Sequence, residues 1–144
     1  MKKIMIVCSN SFYDRIPDIK KELEKDFLVV LPNCYDDVVR NEDCYQMSDE
    51  EYMSFFRQMF HESRDKISNV DCCLVLNFDK TKKGATYHNY IGASTFLEMY
   101  EAFMLEKEIY LYNDLPDKSN MLYDEIKGMN PILIYGDISR ISRF

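Results

Sequence analysis

The sequence predicts an α/β fold: a three-layer sandwich on a five-stranded parallel sheet of flavodoxin-like order 2-1-3-4-5. Three observations predict it. Short apolar runs rich in β-branched residues alternate with stretches of helical period, in the order β-α-β-α-β-α-β-α-β. Right-handed crossovers turn that order into a parallel sheet with helices on both faces. The run 70–78 (VDCCLVLNF) is almost continuously apolar, as a strand buried on both faces must be. Glycine and proline number four each, which leaves little chain for long loops.

Residues 3–7 read as the first strand. Cys8, Ser9, Asn10 and Ser11 make a polar turn, and a helix over 12–25 follows with Ile16, Ile19 and Leu23 as its apolar stripe. Pro17 fits near the start of that helix, where a missing N–H costs nothing. Residues 27–31 form the second strand, stopped by Pro32. The stretch 33–48 is irregular and acidic, with Asp36, Asp37, Glu42 and Asp43. Structureless loops of that length usually carry function or move. Ser48-Asp-Glu-Glu51 is a capping-box pattern opening a helix to about residue 69. Tyr52, Phe55, Phe56, Met59, Phe60 and Ile67 supply its buried side. The strand 70–78 and a loop over 79–90 come next.

Residues 89–113 organise the rest. A turn at Gly92, Ala93 and Ser94 leads into a helix closed by Lys107 and Glu108, and 109–112 read as a strand. The helix is apolar all round, and such a helix is normally buried. A turn with Pro116, a short helix over 121–127 ended by Gly128, and a last strand over 131–135 complete the chain.

The 144 residues are most simply one domain, 1–144, long enough to bury a core. A net charge of −7 argues against binding a phosphate backbone, so no nucleic-acid partner is expected. The one basic cluster, Lys80, Lys82 and Lys83, reads as a solvated loop. No apolar run approaches the length of a membrane span, roughly 18 residues. MKK runs at once into IMIVC, too short for a signal-peptide core. A cytoplasmic protein is expected. Its five cysteines are an odd number without a CxxC pair, which argues against a disulfide framework. Cys72 and Cys73 read as small buried residues facing opposite ways along a strand. His61 and His88 make no metal-binding pattern, and no metal or cofactor is expected.

In sheets of this kind ligands bind beyond the carboxyl ends of the strands, at the switch point between strands 1 and 3. Segments 8–12, 77–90 and 92–98 would meet there, with Asn77 and Asn113 on the same edge. Ser9, Asn10 and Ser11 read equally as an anion cradle or as a cap of the first helix. Phe12, Tyr87 and Tyr90 are candidates to stack on a base or ribose, against a plainer role as packing. Cys8 and Arg15 invite comparison with low-molecular-weight tyrosine phosphatases. There five residues separate the Cys from the Arg; here six do, which misplaces the guanidinium. Glu98 has two readings. Thr95-Phe-Leu-Glu98 fits a capping box. A carboxylate in a mostly apolar pocket also suits a nucleophile, or a stabiliser of a sugar oxocarbenium ion.

The stretch around Glu98 resembles the nucleoside 2-deoxyribosyltransferases and the related 2′-deoxynucleoside 5′-monophosphate N-glycosidases. Gly92, Ser94, Glu98, Ala102 and Lys107-Glu-Ile-Tyr-Leu match the family's layout: a glycine-containing turn, a helix-borne glutamate, and a helix ending in Gly-Lys or similar before an apolar strand. Departures are Gly92, where the transferases often have Asp, and Ser9-Asn-Ser-Phe12 in place of a glycine- and arginine-bearing loop. The resemblance implies the five-stranded α/β fold, a nucleoside or nucleotide ligand, and a homodimer or larger oligomer whose neighbours complete the sites. It implies that Glu98 attacks the anomeric carbon of a 2-deoxyribose and displaces the base. A family carboxylate on the preceding helix, which works in proton transfer, corresponds to Glu62 or Asp65, and a family asparagine to Asn113. A nucleotide-binding sensor using the same pocket without catalysis is the alternative. A third reading is an interaction protein whose acidic surface docks a basic partner.

Overall fold

A computed structural model of the chain describes residues 1–36 and 46–144. Asp37, Glu42 and Asp43 of the acidic stretch, and Cys44, lie outside the described residues. Seven strands are described: β1 (Lys3–Val7), β2 (Leu28–Val30), β3 (Cys72–Val75), β4 (Lys80–Lys82), β5 (Ala85–Tyr87), β6 (Glu108–Leu111) and β7 (Ile132–Leu133). The helices are α1 (Ile16–Leu23), α2 (Asp49–Ser68), α3 (Ala93–Met104) and α4 (Tyr123–Gly128). Short 3₁₀ turns at Asn10–Arg15 and Ile138–Arg140 complete the elements.

The main sheet has the order β2-β1-β3-β6-β7, and every pairing in it is parallel. This is the flavodoxin-like order expected, with β6 and β7 in fourth and fifth place. Successive residues of a strand face opposite sides, so each strand feeds two cores. Ile4, Ile6, Cys72 and Leu74 pack with Ile16, Ile19 and Leu23 of α1 and with Ile138 and Ile141 of the tail. Met5, Val7, Cys73 and Val75 pack with Ile67 of α2, Met99 and Ala102 of α3, and Ile126 of α4. Cys72 and Cys73 thus take opposite faces.

Four expectations are corrected. The first helical stretch divides, with the 3₁₀ turn at Asn10–Arg15 preceding α1, because Pro17 starts the α-helix proper. The stretch 79–90 is not all loop. It holds the antiparallel hairpin β4-β5, turned at Lys83 and Gly84 with φ of 51° and 77°. Positive φ at both turn residues lets a two-residue loop follow strand twist. Thr95 does not cap α3; Gly92 does, without a side-chain bond, and Thr95 and Glu98 lie inside the helix. Nor is α3 buried all round. Thr95, Met99 and Ala102 are buried, while Leu97, Tyr100, Phe103 and Met104 keep 47%, 49%, 46% and 59% of their surface.

The capping box at Ser48 forms as expected: its hydroxyl accepts from Glu51 N and its own N–H donates to the Glu51 carboxylate. Among the described residues no helix is long and apolar enough to cross a membrane.

Candidate active site

Strand β1 ends at Val7, and Cys8, Ser9 and Asn10 leave the sheet at its carboxyl edge. There they form one wall of a cavity of about 590 Å³. The segment after β2 (Pro32, Asn33, Cys34) adds a second wall. Phe55, Phe56, Met59, Phe60 and Ser63 of α2 add a third, and Ser94, Thr95, Leu97, Glu98, Tyr100 and Glu101 of α3 a fourth. Aromatic walls with a few convergent polar groups are what a small-molecule site requires.

Glu98 is half-buried on this wall. Burial pushes its carboxyl up to about 7, against opposing stabilisation from the Ser63 hydroxyl and the Lys66 ammonium. At neutral pH the group therefore exchanges a proton readily, and its anion is poorly solvated. The Cys8 thiol is pushed up by its own burial and by Glu98, so it is a thiol and not a thiolate. Arg15 stacks its guanidinium 3.9 Å from the centre of the Phe78 ring. Both placements count against the phosphatase comparison. Glu101 pairs with Arg64 across the α2–α3 seam at 3.1 Å.

Of the residues picked from sequence, Ser9, Asn10, Ser94 and Glu98 line the cavity together. Ser9 also caps the 3₁₀ turn, its hydroxyl accepting from Ser11 N, so one of the two roles read for that tripeptide is formed. Ser11 itself lies outside the lining. Phe12 is buried edge-on to Phe78 and Tyr90 and lies outside the lining. Tyr90 stands beside Gly92, whose missing Cβ would sit 3.1 Å from the tyrosine hydroxyl.

Asn77 and Asn113 form a clamp between the ends of β3 and β6. Asn113 N donates to Asn77 Oδ1, Asn113 Nδ2 donates to the Asn77 carbonyl, and Asn77 Nδ2 donates to the Asp114 carbonyl. Glu62 accepts from Gln58 Nε2, Asp65 is exposed, and neither lines the cavity.

Segment 77–90 thus stays outside the lining, and the sequence reading missed what replaces it. Phe55, Phe56, Met59 and Phe60, expected in the core, wall the cavity instead, and Ile67 alone of α2 is fully buried. Asn33 and Ser63 carried no signal beyond their polarity. Among the described residues no cluster of ligating side chains could hold a metal.

Known protein-family models contain no match to the chain, and neither do the curated proteins. Solved structures do. The 2-deoxyribosyltransferase of the psychrotolerant bacterium Bacillus psychrosaccharolyticus is similar at a TM-score of 0.50 and 14% identity, over 76% of this chain and 70% of that one. The CMP N-glycosidase BcmB of Clostridium botulinum is similar at a TM-score of 0.53 and 16% identity, over 92% of this chain and 85% of that one. At such identities the likeness is one of fold, and it is the fold that the resemblance around Glu98 implied.

Proposed function

We propose that the protein cleaves or transfers at the N-glycosidic bond of a 2′-deoxynucleoside or its 5′-monophosphate, with Glu98 as nucleophile. One observation carries the reading. A half-buried carboxylate, its pKa raised by burial, stands on the wall of a largely apolar cavity at the carboxyl edge of the sheet, and it is the glutamate to which the family resemblance gives the attacking role. The two structural neighbours, a deoxyribosyltransferase and a CMP N-glycosidase, support the same chemistry.

Glu98 attacks C1′ and the C1′–N bond breaks, giving a glycosyl ester. The base leaves with a proton from water, since Glu62 and Asp65 stand outside the cavity. Water, or a second base, then displaces Glu98 at C1′. Ser9, Asn10 and Ser94 supply hydrogen bonds to the sugar end, and Phe55, Phe56 and Phe60 an apolar wall for the base. The exposed apolar faces of α2 and α3 flank the cavity mouth and support a homodimer or larger oligomer closed over it.

The alternative, a sensor that binds nucleotides without turnover, draws on one observation. The only other carboxyl group lining the cavity among the described residues, Glu101, is tied to Arg64. Incubation with the four 2′-deoxynucleosides and their 5′-monophosphates, with chromatography for free base, separates the two. Base release that disappears in Glu98→Ala is the expected result. Full activity in that variant overturns the nucleophile, and binding without release favours the sensor.

A further inference from the structure

In the middle of α2, Ser63 behaves unlike an ordinary helical serine. Such a hydroxyl commonly turns back to the carbonyl four residues earlier, as Ser68 Oγ does to the Arg64 carbonyl at 2.7 Å in the same helix. At Ser63 that carbonyl is Met59's, and it accepts Asn33 Nδ2 at 3.1 Å instead. The second proton of Asn33 Nδ2 goes to Ser63 Oγ at 2.8 Å. Because the Met59 carbonyl can only accept, the amide cannot be turned the other way round. Ser63 therefore accepts from Asn33 and keeps one proton to give; it lines the same cavity as Glu98, whose carboxylate its hydroxyl stabilises.

The Asn33 amide oxygen has no partner, the one such buried side-chain atom among the described residues. Native structures seldom retain a buried acceptor that way without another use for the group. Backbone contacts pin the segment: Tyr13 Oη donates to the Asn33 carbonyl at 2.9 Å, and Lys66 Nζ to the Leu31 carbonyl at 3.0 Å.

We propose that Asn33 is a positioning residue: its amide fixes Ser63 as a hydrogen-bond donor, and Ser63 in turn holds Glu98 in its attacking orientation. The inference rests on Glu98 being the nucleophile. Besides Ser63, the groups facing Glu98 are Cys8 at the end of β1, Tyr13 of the 3₁₀ turn, Lys66 of α2 and Cys73 of β3. Glu101 on its own helix is occupied by Arg64.

The test is a carbon-13 NMR titration of the glutamate carboxyls in the free protein, with the Glu98 signal identified by its loss in Glu98→Gln. It is run beside the pH profile of base release. Ser63→Ala and Asn33→Leu should each move the Glu98 midpoint to higher pH by about half a unit to one unit, the effect of one lost hydrogen bond to a carboxylate. The acid limb of base release should move with it, and Ser63→Thr, which keeps the hydroxyl, should leave both in place. Asn33→Ala serves if Asn33→Leu does not fold. A midpoint unmoved in both folded variants overturns the proposal, and so does one that moves in Ser63→Ala alone. If the midpoints move but the wild type releases no base from any substrate, the relay stands and the glycosidase reading falls. If nothing moves while Glu98→Gln loses base release, the relay falls alone.

Discussion

Glu98 couples the site to stability. Its carboxyl sits at about 7 in the folded chain, against an ordinary value of 4.5. Between those pH values the folded state holds a proton that the unfolded state has released, so stability is full below the lower value and falls as pH rises through the upper one. At about 1.4 kcal/mol per pH unit the loss is at most about 3 kcal/mol, less for a group that keeps some solvent. Glu98→Gln should therefore match the wild type near pH 4.5 and exceed it in stability at pH 8, by urea denaturation at both pH values. A constant difference across that range would show that Glu98 is solvated. Asn77 is fully buried and fills its amide with the Asn113 N–H and the Asp114 carbonyl. Asn77→Leu would strand both, and is expected to cost about 2–4 kcal/mol in the same measurement.

At the scale of elements, the end of α3 is the most informative. Glu106 N donates to the Phe103 carbonyl and Lys107 N to the Ala102 carbonyl, the two bonds of a Schellman ending. Glu106 takes φ of 58° to make them, in the left-handed region that favours glycine. Glu106→Gly relieves about 1 kcal/mol of backbone strain, partly offset by the freedom glycine adds to the unfolded chain. A small rise in melting temperature is expected, and a fall would mean that the Glu106 side chain contributes more than its backbone costs.

Across the whole molecule, α2 and α3 present aromatic and methionine side chains to solvent on the side where the cavity opens. Phe103 and Met104 lie outside the cavity lining, so charging them tests association without touching the site. If the proposed oligomer uses this face, Phe103→Glu with Met104→Glu should shift the species seen by light scattering toward monomer. Activity should fall with it where a neighbour completes the site. An unchanged mass would place the interface elsewhere.

The strand order and the two-sided strands were legible because apolar runs and their spacing follow from local chain chemistry, and right-handed crossovers leave few ways to join them. Glu98 was legible as a carboxylate on an apolar helix, and the Ser48 cap as a local pattern. What the tertiary structure decided is how faces are shared between burial and a ligand. The same helical stripe on α2 serves a core or a cavity wall, and only the distance to α3 tells which. The hairpin at β4-β5 depended on left-handed backbone at Lys83 and Gly84. The Asn33–Ser63 pair joins positions 30 residues apart. No periodicity encodes such a contact, because it exists only once the segment after β2 lies against α2.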